Sequence, residues 1–140
     1  MKLRLVLGMF LVGLATACGG DGGGGGGGGG GGEDDVVKVA LEEQNGSGKS
    51  GTADLFPGAA SVDVTIEIRG QSDLDPIHVH RGTCDAPGEE LVHDLGFTTA
   101  NLGQGQIFAT TDEVMTGEFI IDIHDDRNNK VIMCGAIPAR

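Results

Sequence analysis

The sequence predicts an all-β domain, a Greek-key antiparallel β-sandwich, and three observations carry that expectation. After the N-terminal region the chain has no Trp, no Tyr and four Phe (Phe56, Phe97, Phe108 and Phe119), so its core must be assembled from Val, Ile and Leu, which suit strands. Val62–Arg69 alternates strictly, with Val62, Val64, Ile66 and Ile68 on one face and Asp63, Thr65, Glu67 and Arg69 on the other. About seven such short runs follow one another between turn signals, and no segment holds a 3.6-residue apolar period over three turns.

Taken in order, Val36–Leu41 is a short apolar-rich run that ends in Glu42 and Glu43, before the turn-rich Asn45–Gly46–Ser47–Gly48. Gly51–Phe56 is a weaker strand closed by Pro57–Gly58, and Val62–Arg69 is the clearest one. Ile77–His80 keeps the alternation, with Ile77 and Val79 on one side and His78 and His80 on the other. Gln106–Thr111, Gly117–His124 and Lys130–Ile137 complete the set, separated by Asp, Asn and Gly clusters.

The N-terminal segment reads as an address. Met1–Arg4 carries two positive charges, Leu5–Leu14 is an apolar run of ten, and small residues precede Cys18, which together make a secretory signal peptide over 1–17. The apolar run is shorter than the roughly 20 residues needed to span a bilayer. Leu14–Ala15–Thr16–Ala17–Cys18 resembles the bacterial lipobox, with Ala15 where that motif favours Leu, and implies acylation of Cys18. The other reading is an ordinary cleaved signal with an incidental cysteine. Gly19, not Asp, follows Cys18, so the resemblance implies an outer-membrane anchor facing the periplasm or the surface.

Of the 27 glycines, 13 lie within Gly19–Gly32, a tract with no side chains to bury and maximal backbone freedom. With Glu33–Asp34–Asp35 it forms a flexible tether over 18–35, whose glycine tract has an r.m.s. reach on the order of 20 Å. It has no Lys-Ser/Thr terminus to cradle a phosphate. A single domain over 36–140 remains. Once Lys2 and Arg4 leave with the leader, the nine basic residues fall to seven against 21 acidic ones, a formal charge of −14. A surface of that sign repels a polyanion, which excludes nucleic acid as a partner.

If Cys18 takes lipid, Cys84 and Cys134 remain as a pair in an oxidising compartment, where a disulfide is the expected state. Two thiolate metal ligands are the alternative, without CxxC spacing to support them. Four histidines carry whatever metal chemistry there is. His78 and His80, at i and i+2 on a strand, share a face and could hold one ion between them; His124 closes a later strand on the face that also carries Ile120 and Asp122. Imidazole suits copper and zinc, and the lack of free thiolates suits Cu(II). The bland reading is a set of surface histidines that bind nothing. A shared ion would bring the three ring nitrogens within about 3–4 Å of one another.

The order Ser50–Gly51–Thr52, Val62–Gly70, His78–Val79–His80, Cys84, Asp122–Ile123–His124–Asp125 and Met133–Cys134–Gly135–Ala136–Ile137 resembles the Cu/Zn superoxide dismutase family over nearly all of 36–140. That resemblance implies a dismutase-like sandwich, copper ligation by His78, His80 and His124, and the Cys84–Cys134 disulfide. The chain also departs from the family. Asp94 lies only ten positions after Cys84, where the family has a long zinc loop; Glu90 stands at the bridging-histidine position and Val131 at that of the active-site arginine, with Asn128, four residues after His124, where the family has an aspartate that supports the site from outside the ligand set. No complete zinc site can be assembled, and His93 is either a further ligand from the shortened loop or a solvated loop residue. Short CHRD-type domains are similar in this brevity. The expectation is a lipid-anchored copper-binding domain with weak or no dismutase activity; a genuine dismutase with an altered ligand set and a metal-free CHRD-like interaction module are the alternatives.

Overall fold

The computed structural model describes residues 35–140, so the proposed leader, Cys18 and the glycine tract lie outside the described residues. The strands are β1 (Val37–Glu43), β2 (Ser50–Pro57), β3 (Val62–Arg69), β4 (Pro76–Thr83), β5 (Ala86–Phe97), β6 (Leu102–Ile107), β7 (Phe119–His124) and β8 (Val131–Ala136), with one helical turn, α1 (Thr111–Val114), before β7. All the pairings are antiparallel, in the order β5-β4-β7-β8-β1-β2-β3-β6. The result is the expected all-β architecture, a sandwich closed almost into a barrel.

β1 joins the two halves. Its first residues pair with β2 (Val39 with Ala53), and its last two pair with β8 (Glu42 with Cys134), so one strand serves both sheets. The inward faces then meet as alternation requires: Val39, Leu41, Ala53, Leu55, Val64 and Ile66 from one side and Ile77, Val79, Ile121, Ile123 and Met133 from the other are at most 2% exposed. At about 25 cal/mol per Å² of apolar surface, an aliphatic core of this extent is the dominant favourable contribution to the fold. Glycine closes the remaining side: a Cβ on Gly105 of β6 would stand 2.7 Å from Leu95 Cβ of β5, so only glycine allows the two edges to cross there.

Two segments differ from expectation. The stretch after Cys84, expected as a loop, is the twelve-residue strand β5, and His93 is a half-buried strand residue opposite Val79. Its composition hides it, because Pro87, Gly88 and a run of charges interrupt the apolar pattern, while pairing with β4 through several register shifts supplies what periodicity does not. The strand expected at Gln106–Thr111 instead runs over Leu102–Ile107 and gives way to α1. There Glu113 Oε2 accepts a hydrogen bond from the Thr110 N–H at 2.8 Å, the reciprocal contact of a Thr-x-x-Glu helix start, and it outweighs a weak strand preference.

Cys84, at the tip of the β4–β5 hairpin, is disulfide-bonded to Cys134 of β8. Because β7 lies between β4 and β8, this bond draws the hairpin tip across the outer face of β7. Ile120 points to that outer face and is nevertheless fully buried, outside the main apolar cluster.

Candidate metal centre

The covered outer face of β7 is where the histidines meet. In β4 the inward pair Ile77 and Val79 is completely buried, so the pleat turns His78 and His80 outward. In β7 the inward pair is Ile121 and Ile123, which turns Asp122 and His124 to the same outer face. The register places His78 directly opposite Asp122, and Asp122 in turn opposite Cys134. His80, opposite Ile120, and His124, at the far end of β7, flank Asp122 from the two sides.

Their rings lean together over that carboxylate. Ring centroids lie 5.7 Å apart for His78 and His80, 4.9 Å for His78 and His124, and 6.1 Å for His80 and His124. His124 Nε2 stands 3.2 Å from Asp122 Oδ2, and His80 Nε2 3.7 Å from Asp122 Oδ1. One ligand atom from each of His78, His80, Asp122 and His124 falls within 4.8 Å of the others, a looser spread than the roughly 3–4 Å that an ion would impose. The four residues could hold a metal ion.

Each flanking ring is fixed by its other nitrogen. His80 Nδ1 is 3.1 Å from the Glu90 carbonyl and His124 Nδ1 is 3.2 Å from that of Asn129. A carbonyl can only accept, so both Nδ1 atoms carry the proton, and in the neutral ring the lone pair resides on Nε2. Those Nε2 atoms and Asp122 Oδ1 are buried with no well-formed hydrogen bond, while His124 Nε2 approaches Asp122 Oδ2 as an ion pair at 3.2 Å. Three unpartnered polar atoms converging on one point fit a cation, since burying such groups without a partner costs about 1–3 kcal/mol each.

The two shifted histidines move in opposite directions. Burial, reinforced by the neighbouring His124, lowers the pKa of His78, with Asp122 and Asp94 partly offsetting it. The adjacent Asp122 carboxylate raises that of His124, against a smaller opposing effect of burial. The metal-free site thus favours a proton on His124 and a free lone pair on His78.

No family model, curated protein or solved structure matches this chain. The site's chemistry is therefore argued from its own atoms. The structure brings His78, His80 and His124 together as the sequence predicts, and joins Cys84 to Cys134. His93 contributes no atom to the group. Glu90 participates through its backbone carbonyl, not its side chain. Asp122 is the member that sequence reasoning leaves out. The available signal was a charged residue at i−2 from a candidate ligand, inside an otherwise apolar run, Phe-Ile-Ile-Asp-Ile-His.

Proposed function

We propose that this chain is an exported, lipid-anchored copper-binding domain of the bacterial cell envelope, with His78, His80 and His124 as its histidine ligands. The observation that carries the reading is the convergence of the buried, unpartnered Nε2 atoms of His80 and His124 on one point beside Asp122. Imidazole nitrogens suit copper, and the group contains no thiolate, since Cys84 and Cys134 are spent on the disulfide. Bound copper supplies one-electron redox chemistry. The chain's own residues orient the imidazoles through the Glu90 and Asn129 carbonyls and shield them under the disulfide-tied hairpin.

The resemblance to Cu/Zn superoxide dismutases supports the ligand set more strongly than the activity. Dismutation draws an anion to the metal, and the 36–140 domain, with formal charge −10 and Val131 in place of the family's arginine, steers an anion poorly. The lipobox-like Leu14–Cys18 and the glycine tract support attachment at Cys18, with the domain held clear of the membrane surface.

The test is metal analysis and Cu(II) titration of the full chain recovered from the envelope of an expressing bacterium. One equivalent of copper is expected, lost in the His78→Ala/His80→Ala double variant and retained in His93→Ala. Unchanged stoichiometry in the double variant overturns the assignment, and full stability after chelation with no recovered metal leaves the interaction-module reading in its place. Superoxide removal by the loaded chain is expected to be no faster than by free copper at the same concentration.

A further inference from the structure

The described residues hold two carboxylates that are almost completely buried, Asp75 at 3% and Asp122 at 1% exposure. Asp75 is fully provided for: Lys49 Nζ approaches at 3.0 Å, Ser72 Oγ donates at 2.6 Å and the Asp126 N–H at 3.4 Å. Asp122 has no Lys or Arg partner, and its Oδ1 accepts no hydrogen bond. A single proton on His124 answers only part of this, because Asp122 Oδ1 and His80 Nε2 still face each other across 3.7 Å without a hydrogen bond.

We infer that Asp122 is a ligand in its own right, and that its charge biases the site toward a divalent ion, holding copper as Cu(II) and discriminating against Cu(I). The inference rests on the copper-binding reading and adds to it the oxidation state. Each carboxylate oxygen faces one imidazole, His124 Nε2 at 3.2 Å from Oδ2 and His80 Nε2 at 3.7 Å from Oδ1, so Asp122 stands beside both candidate donors.

The selectivity follows from the donors. A hard anionic oxygen favours the doubly charged ion, whereas Cu(I) is favoured by thiolate and thioether sulfur, of which the group has none. Three imidazoles and a carboxylate together make a four-donor set of nitrogen and oxygen.

The experiment compares Cu(II), Zn(II) and Cu(I) affinities of the full chain and its Asp122→Asn variant, by competition with chromophoric chelators. Asp122→Asn is expected to weaken Cu(II) and Zn(II) by at least about 100-fold, the upper end of what outer-shell changes cost. Cu(I) affinity is expected to move by less than about tenfold. Equal losses for Cu(I) and Cu(II), or no loss for Cu(II), overturn the inference while leaving copper binding by the histidines intact. If the unaltered chain binds none of the three ions, it is the copper-binding reading that falls. The unaltered chain gives a second readout that needs no variant. On adding Zn(II), the Asp122 carboxylate carbon resonance is expected to shift together with the histidine ring signals; histidine shifts without an Asp122 shift exclude the carboxylate as a ligand.

Discussion

His80 and His124 each spend one ring nitrogen on a backbone carbonyl and leave the other buried and without a hydrogen bond, a division of labour that suits them to hold a metal ion. Asp75 shows the same fold handling a buried charge by ordinary means. Burial raises its pKa, but hydrogen bonds from Ser72, Lys49 and the Asp126 amide outweigh that and leave it below the usual 3.8. A carboxyl with a lowered folded pKa stabilises the fold above its unfolded value and loses that contribution as pH falls through the lowered one. Urea unfolding is therefore expected to show a loss of stability below about pH 4, and Asp75→Asn to remove that part of the acid sensitivity while costing about 1–3 kcal/mol at neutral pH. An unaltered acid limb in the variant would assign the effect to other carboxylates.

At the scale of elements, the β4–β5 hairpin is what turns a sheet face into an enclosed site. Gly82, at φ +118°, lets its backbone bend where a Cβ would meet the Ala86 carbonyl at 2.5 Å, and the hairpin tip is then held against β8 by Cys84–Cys134. The disulfide closes a loop with a sequence separation of 50, for which the chain-entropy model gives roughly 4 kcal/mol. Reduction, or the Cys84→Ala/Cys134→Ala variant, is expected to lower unfolding stability by about 2–5 kcal/mol in denaturant titrations. Freeing the tip is also expected to speed amide exchange at Ile120 and Asp122, and protection equal to that of the oxidised protein would show that the hairpin stays in place without the bond. The loop linking β7 to β8 has a matching role. Asn129 fixes His124, and Asp126 ties the loop to Asp75, so the network around Asp75 supports the site from outside it.

Across the whole molecule, charge bears on the proposed function. With 17 acidic against 7 basic residues, the 36–140 domain has a formal charge of −10, a field that draws cations and repels anions, which fits metal holding better than superoxide turnover. Replacing Cys18 by Ser is expected to move the protein from the membrane to the soluble fraction on cell fractionation, with its copper content unchanged. Membrane retention of the variant would mean that something other than Cys18 anchors it.

The sequence by itself determined the strands that alternate and the residues they turn outward, because a pleat assigns faces by counting: Ile77 and Val79 in, His78 and His80 out. The cysteine count also led to the expectation of a Cys84–Cys134 pair, which the structure joins. The sequence could not show β5, whose own pattern is broken by Pro87 and Gly88 and whose pairing with β4 runs through several register shifts, nor place His93 on a strand. Only the tertiary structure decided that Asp122 shares the site. A lone carboxylate in an apolar strand has the same local pattern whether it meets solvent, a lysine or a metal. Its meaning depends on which strands lie beside it and on the hairpin drawn across it, and those are set by contacts between residues far apart in the chain.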